Sequence, residues 1–217
     1  AVIEDFETIT ELAQNPVFTY RPTTESTDPA KAYARIENGA LHFGKTVGGA
    51  HGLRVDLASA IGDMQDYTVS FDYTGAFWGS SMNIKLGACF AFENAGAANV
   101  GHPNPPALDA YQYVLQWWDA GTKSWDKTDM TTYDLSQPAR IDLAVENQEK
   151  VDVYINGELV EEDLLYRESP FTQLHLQMNN GLGGEIVLDN LMLTEGTTPP
   201  PAPLPQDLLY TQDFSEI

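Results

Sequence analysis

The residues that decide the fold are Ile141-Asp-Leu-Ala-Val-Glu-Asn-Gln-Glu-Lys-Val-Asp-Val-Tyr-Ile-Asn-Gly157. Apolar residues occupy alternate positions on both sides of the polar segment 147–149. This alternation is typical of two half-buried antiparallel strands joined by a turn. Asn156-Gly157 then favours a second tight turn, because both residues tolerate positive φ. The stretch therefore predicts a β-hairpin followed by a further reversal of the chain.

The same alternation recurs along most of the chain, whereas a helical period appears only weakly, at 56–65. More than ten short strands separated by turn residues predict an all-β protein, a two-sheet antiparallel β-sandwich. The segment 8–31, which holds three prolines, is predicted to be a loop, and 82–92 is predicted to be one long strand. The other predicted strands lie at 2–7, 32–36, 40–43, 51–57, 67–73, 111–119, 122–128, 138–146, 171–178 and 185–193.

Two pieces of the sequence resemble a known family. Val151-Asp-Val-Tyr-Ile-Asn-Gly157 resembles a hairpin of concanavalin A-like (laminin-G-type) jelly rolls. Leu188-Asp-Asn-Leu191 is similar to the last strand of laminarinase-type hydrolases and of many carbohydrate-binding sandwiches. The resemblance covers residues 1–195, and it implies a jelly roll that binds a glycan in a concave groove.

Composition limits the partners. The 217 residues include 11 Lys and Arg against 32 Asp and Glu, for a net charge of −21. Such a surface repels phosphate, which argues against nucleic acid and anionic membranes as partners, and it disfavours anionic polysaccharides unless a basic patch or a bound cation intervenes. No apolar run is long enough for membrane insertion. Cys89 is the only cysteine, so no intramolecular disulfide forms, and we expect a buried, inert thiol.

The chain divides into three parts by composition. Residues 1–195 form the predicted sandwich, and 196–206 is a proline-rich linker expected to be extended. Residues 207–217 repeat three positions of the N-terminal sequence, because Asp213, Phe214 and Ile217 match Asp5, Phe6 and Ile9. This tail is either the start of a following module or a strand that packs back on its own sheet. We expect an extracellular module, secreted or on the cell surface, with neighbouring modules of the same polypeptide as partners.

Aromatic residues near predicted loops indicate where a glycan would bind. Sugar rings stack their C–H faces on Trp and Tyr, while amides bind the hydroxyls. Trp117 shares its strand face with apolar residues and is assigned to the core. The alternative for the other aromatic residues is also the core, because an aromatic residue at strand spacing is more often buried than exposed. The predicted ligand-binding residues are Trp78, Gln116, Trp118, Trp125, His175 and Gln177.

The resemblance also implies a structural calcium ion that joins the first and last strands. Asp189 falls in alternation with Val187 and Leu191, an unfavourable place for an unpaired carboxylate. The corresponding calcium ligands, all oxygens, are Asp5, Glu7, the carbonyl of Gly39 and Asp189. The alternative is that Asp189 accepts hydrogen bonds from backbone amides of the first strand.

Catalysis is the main alternative to simple binding. Hydrolases of this fold carry Glu-x-Asp-x-Glu or Glu-x-x-x-Glu on one strand; only the second occurs here, at Glu7–Glu11 and Glu158–Glu162, in a loop and on a solvated face. Gln173-Leu-His175 is similar to a strand of polysaccharide lyases and Arg35-Ile-Glu37 loosely resembles another, but no Lys follows Lys150 to complete their last motif.

We therefore predict a non-catalytic carbohydrate-binding module; the alternatives are a polysaccharide lyase or glycoside hydrolase, and a structural or adhesive repeat that binds no sugar.

Overall fold

A computed structural model describes residues 2–23, 25–77, 82–86, 90–94, 113–119, 124–127, 138–165, 171–178 and 184–200. Over these ranges the chain forms fifteen β-strands, a 3-10 turn at Leu12–Gln14 and one short helix, α1, at Ala58–Ile61. None of the helices in these ranges is long and apolar enough to cross a membrane. The strands are β1 Val2–Glu4, β2 Phe18–Arg21, β3 Ala32–Glu37, β4 Ala40–Lys45, β5 His51–Asp56, β6 Tyr67–Phe77, β7 Met82–Leu86, β8 Phe90–Asn94, β9 Tyr113–Asp119, β10 Ser124–Lys127, β11 Ala139–Glu146, β12 Lys150–Ile155, β13 Glu158–Leu165, β14 Gln173–Met178 and β15 Gly184–Glu195.

The strands form two antiparallel sheets, which confirms the predicted all-β sandwich. The eight-stranded back sheet has the order β13-β12-β11-β6-β15-β4-β3, with β1 paired to β15. The seven-stranded front sheet has the order β10-β9-β8-β7-β14-β5-β2. Neighbours in space are often distant in sequence, as in β6 beside β15, so the topology depends on long-range pairing.

The hairpin predicted from the sequence forms with the expected register. Ile141 lies opposite Ile155 and Val145 lies opposite Val151, so the apolar residues of both strands share one face. The second turn places Asn156 and Gly157 at φ of 51° and 80°, the left-handed region that this dipeptide tolerates. The strand β11 differs from expectation, because it is buried on both faces from Ala139 to Val145 rather than half-buried.

The core lies between the sheets and is built from the alternate, inward-facing residues of each strand. The back sheet contributes side chains such as Phe43 and Phe71, and the front sheet contributes Val55 and Leu174. Each fully buried side chain of this size stabilises the fold by about 1.5–3 kcal/mol. This closed interior leaves the outer faces of the sheets as the surfaces on which a ligand can bind.

The first and last strands lie side by side, as the resemblance implies. Glu4 pairs with Leu191 after β15 has left β4 at Leu188. Between these segments Asn190 has a φ of 50°, and the register of β15 against β6 shifts. The predicted alternation is wrong here: this bulge turns Leu191 into the core, whereas Val187 and Asp189 stay on the outer face.

Three other predicted elements are corrected. The predicted loop 8–31 contains β2, which pairs with β5 at the edge of the front sheet. The predicted single strand 82–92 is two strands, because Leu86 pairs with Phe90 across β7 and β8. The weak helical signal at 56–65 corresponds to the single turn of α1.

A buried ionic cluster ties the hairpin to the centre of the back sheet. Arg140, only 7% exposed, places Nε 3.3 Å from Oδ1 of Asp142 and Nη1 3.4 Å from Oδ1 of Asp72. Asp142 is 2% exposed, so its charge depends on this partner. Asn190 donates its side-chain amide to Oδ2 of Asp72 at 2.7 Å, which links the cluster to the bulge of β15.

We expect Arg140→Met to lower the free energy of unfolding by about 3–5 kcal/mol, because it leaves a buried carboxylate unpaired. The matched control is Arg35→Met, which removes an ion pair whose side chains are 49% and 48% exposed and which we expect to cost at most about 1 kcal/mol. Urea denaturation measures both. Equal losses for the two variants would contradict the structural role assigned to Arg140.

Candidate functional site

A cleft of about 370 Å³ opens on the outer face of the front sheet, across β2, β5 and β14. The described residues that line it are mostly polar or small, and none of them is acidic. They are Thr19, Arg21, Pro22, Ala50, His51, Gly52, Leu53, Arg54, His175, Leu176 and Gln177.

Strand alternation explains which side chains reach the cleft. In β14, Leu174, Leu176 and Met178 are buried, so Gln173, His175 and Gln177 lie on the outer face. In β5 the outer residues are Gly52, Arg54 and Asp56. In β2 they are Thr19 and Arg21, and the register aligns Thr19, Arg54 and His175 in one row across three strands.

A hydrogen bond fixes two of these side chains relative to each other. The Nε of Arg54 donates to Nε2 of His175 at 3.0 Å. Nε2 of His175 is the acceptor in this bond, because the Nε of arginine can only donate. The bond orients the guanidinium and leaves it without a charged partner at this point.

Below the cleft, His51 packs between the sheets and is 2% exposed. Its ring stacks on Phe43 with centroids 4.3 Å apart and meets the edge of Tyr20 at 5.4 Å. Burial, followed by the charge of Lys45, lowers the pKa of His51 to about 4. Lys45 is itself buried and donates Nζ to the carbonyl of Gly49 at 2.5 Å. His51 is therefore a neutral part of the floor near pH 7.

The residues predicted to bind calcium come together on the other sheet. Burial raises the pKa of Asp189, and the nearby carboxylates of Asp72, Glu7 and Asp5 raise it further. Gly39 lies against Glu7, since a Cβ built on Gly39 would be 2.7 Å from Glu7 Oε1. The alternative predicted for Asp189 was a hydrogen bond from a backbone amide of β1. Instead, Oδ1 of Asp189 accepts a hydrogen bond from the amide of Asn190 in the bulge, at 2.7 Å.

The donors of this acidic cluster are all oxygens, which suits calcium. Over the described ranges, however, no group of three or more His, Cys, Asp or Glu side chains is arranged to hold a metal ion. Calcium at Asp5, Glu7, Gly39 and Asp189 thus stays a prediction.

The structure places two of the predicted ligand-binding residues, His175 and Gln177, together in the cleft. The predicted aromatic ligand-binding residues are not tested, because their side chains lie outside the described part. Trp78 lies outside the described residues. Gln116 and Trp118 of β9 and Trp125 of β10 are described only as strand positions, with Trp118 paired to Trp125, and their side chains lie outside the described part. Cys89 and residues 201–217 also lie outside it.

Sequence reasoning missed Thr19, Arg21 and Arg54 as site residues. The available signal was the short alternation Phe18-Thr-Tyr-Arg21 between two prolines, which predicts an edge strand when it is taken out of the supposed loop. Arg54 lies in a strand that was predicted, but its place beside His175 follows only from the pairing of β5 with β14.

The catalytic motifs do not assemble as the resemblance would need. Arg35 is on β3 in the back sheet, where it pairs with Glu37 at 3.0 Å, so it cannot join His175 in the front sheet. Glu158 and Glu162 are exposed on β13 at the edge of the back sheet. Glu7 and Glu11 are exposed as well, which agrees with their predicted loop position.

No protein-family model and no curated protein sequence matches this chain. Solved structures match its fold. LamAcat from Zobellia galactanivorans is 10% identical with a TM-score of 0.53, and the match covers 88% of this chain and 96% of that one. The chain has a concanavalin A-like jelly-roll fold. A conserved carbohydrate esterase from the Shiga toxin-encoding bacteriophage phi24B gives a TM-score of 0.53 at 10% identity, covering 90% and 99% of the two chains.

A structure of botulinum neurotoxin type C, whose cell entry depends on interaction with two ganglioside molecules, is also similar. The TM-score is 0.50 at 9% identity, over 83% of this chain. This concanavalin A-like chain spans only 43% of that neurotoxin chain, so the match concerns one part of it. At such identities the comparisons establish the fold and leave the function to the site.

The buried imidazole predicts an acid sensitivity. Because the pKa of His51 falls from 6.5 to about 4 in the folded protein, the unfolded chain binds this proton first as the pH drops. The stability contributed by the neutral ring is complete above pH 6.5 and is lost down to about pH 4. We expect His51→Phe, which keeps the stack on Phe43, to reduce the loss of unfolding free energy between about pH 7 and 4 by on the order of 3 kcal/mol. Denaturation series at several pH values measure this, and parallel acid slopes for the two proteins would refute it.

Proposed function

We propose that this chain is a non-catalytic carbohydrate-binding module of a larger extracellular protein, and that its glycan lies in the cleft on the front sheet. The observation that carries the proposal is the outward row Thr19, Arg54 and His175, with Gln177 beside it, above a closed core. Hydroxyl, amide, imidazole and guanidinium groups on one rigid surface can bind the hydroxyls of a sugar.

The shape of the surface supports an extended ligand. Gly52 lies between Arg21 and Gln177 in the register, so no side chain rises from the middle of that row. The predicted aromatic positions Trp118 and Trp125 are paired with each other farther along the same sheet. We propose that they extend the binding surface by stacking on further sugar rings.

The fold comparisons support the proposal only in general terms. A carbohydrate esterase and a ganglioside-dependent toxin share the fold with this chain. These similarities make a glycan a reasonable ligand class, while the residues of the cleft give the specific argument.

Filling the cleft tests the proposal without removing any polar group. A Cβ on Gly52 would be 3.8 Å from its nearest neighbour, the carbonyl of Leu176, so Gly52→Tyr is expected to fold and to place its ring in the cleft. We expect affinity electrophoresis in polysaccharide gels to show binding by the wild type and a loss of at least about tenfold in the variant. The control is Leu159→Tyr, on an exposed position of β13. Unchanged binding by Gly52→Tyr would place the glycan elsewhere.

A lyase is the second candidate, because His175 lies in the cleft on a strand that resembles a lyase strand. To act as a general base, His175 would first have to release Nε2 from Arg54. Incubating the chain with each bound polymer, and assaying reducing ends and unsaturated-uronate absorbance, distinguishes the candidates. Product formation that His175→Ala abolishes would establish the enzyme, and no product with intact binding would establish the module. If no polymer binds, the structural or adhesive repeat becomes the better description.

We further propose that the cluster of Asp5, Glu7, Asp189 and the Gly39 carbonyl binds a structural calcium ion. The support is that Asp189 lies opposite Asp72 and that Glu7 lies against Gly39. Burial, and then the neighbouring carboxylates, raise the pKa of Asp189, and a bound cation would relieve this repulsion. The ion would join β1 to β15.

The variant Asp189→Asn tests the calcium proposal, because its expected effect on the melting temperature differs between calcium-free and calcium-containing buffer. In EDTA the variant should melt at or above the wild-type temperature, because it removes a repelled charge. In millimolar calcium the wild type should gain several degrees by ligand-linked stabilisation, and the variant should gain none. Glu158→Gln, an exposed change in β13, is the control. Thermal scans decide the question, and a wild type whose melting temperature ignores calcium would rule out the ion.

A further inference from the structure

Charge is distributed unequally between the two sheets. The strands of the back sheet carry thirteen acidic and four basic residues, whereas those of the front sheet carry four of each. The net charge of −21 is therefore a property of the rest of the molecule. The front sheet is the surface on which an anion meets the least repulsion.

Within the cleft the balance becomes basic. Arg21 and Arg54 are exposed there, and the described lining contains no carboxylate. Arg21 lies opposite Gly52, two residues from Arg54 on the same face of β5. Diagonal neighbours of this kind are separated by about 7–8 Å. The glycine leaves the space between them open.

Most other basic residues with described side chains bind carboxylates. Lys31, Arg35, Arg140 and Lys150 form salt bridges to carboxylates, and the buried Lys45 donates to the carbonyl of Gly49. Neither Arg21 nor Arg54 has a carboxylate within salt-bridge distance over the described ranges.

The groups beside Arg54 either bind elsewhere or hold its side chain in position. Asp56, the next outward residue of β5, instead accepts the amide of Ala58 at 2.9 Å. The Nε of Arg54 is bound by His175, and its terminal nitrogens have no described partner. A guanidinium oriented in this way loses little side-chain entropy on binding an anion.

We infer that the cleft binds a sugar unit carrying a carboxylate or a sulfate, with the anionic group held between Arg21 and Arg54. This inference rests on the proposed function and gives its substrate class, an anionic polysaccharide. Guanidinium forks match the oxygens of such groups and form charge-assisted hydrogen bonds. Thr19 and Gln177, at the sides of the cleft, would bind hydroxyls of the same unit.

An anionic polysaccharide is the kind of ligand that the net charge of −21 would disfavour. At physiological ionic strength the Debye length is about 8 Å, so the remote carboxylates of the back sheet are largely screened. The direct contacts between an anion and the two exposed arginines are much shorter than this length, so they persist at that ionic strength and are screened further as salt is added. Binding by the cleft should therefore weaken as salt rises, although the whole protein is acidic.

Affinity electrophoresis against a panel of polymers tests the inference. The uronate arm contains polygalacturonate, alginate and hyaluronan, with fully methyl-esterified polygalacturonate as the same backbone without its charge. The sulfate arm contains a sulfated galactan, and the neutral arm contains laminarin and xylan. We expect retention in the uronate or the sulfate arm, which identifies the group, and a loss of at least about tenfold in Arg21→Gln and in Arg54→Gln. Arg35→Gln, on the back sheet, should bind as the wild type does.

The outcomes separate this inference from the proposed function. Binding of neutral polymers that is insensitive to both cleft variants and to salt overturns the anionic ligand and leaves a carbohydrate-binding module. Failure to bind any polymer overturns both. Retention of polygalacturonate that methyl esterification abolishes, with the expected loss in both variants, supports both.

Discussion

The pairing of β15 with β6 is the contact on which the rest of the sandwich depends. It runs from Gly184 opposite Phe77 to Glu195 opposite Tyr67 at the centre of the back sheet. One irregularity interrupts it, the bulge at Asn190. Before the bulge β15 also pairs with β4, and after it β15 pairs with β1. One strand therefore contacts three strands from the N-terminal half of the chain. The cost of this arrangement is that Asp189 lies opposite Asp72, and Arg140 and Asn190 offset it by binding Asp72.

The back sheet carries groups that bear on stability, whereas the front sheet carries the candidate binding surface. The back sheet holds the buried ionic cluster, most of the strand carboxylates and the candidate calcium ligands, all of which bear on stability. The front sheet lies over the same core but presents Gly52, Arg54 and His175 outward on strands whose pairing is uninterrupted. A rigid sheet keeps such side chains in fixed positions without a ligand, which lowers the entropy lost on binding. In this architecture a very acidic protein keeps one sheet whose strands carry equal numbers of acidic and basic residues.

Local pattern was enough to predict the fold class and the hairpin, whereas the meeting of the first and last strands was implied by the resemblance to jelly rolls. Alternation and Asn-Gly turns are encoded within a few residues, and both were recognised correctly. The errors arose where pairing between distant segments decides the outcome. The division of 82–92 into two strands, the inclusion of β2 and the bulge at Asn190 all depend on which strand lies alongside. For the same reason His175 and Gln177 were identified from a motif, whereas Arg21 and Arg54 became visible only through the register of β2, β5 and β14.

Amide chemical-shift mapping of the 23.9 kDa protein shows whether a sugar chain binds on the outer face of the front sheet. In a titration with a galacturonate or alginate tetrasaccharide, we expect saturable shifts at Thr19–Arg21, Gly52–Arg54 and His175–Gln177, with the hairpin of β11 and β12 unchanged. Saturable shifts confined to the back sheet or to the acidic cluster around Asp189 would contradict it.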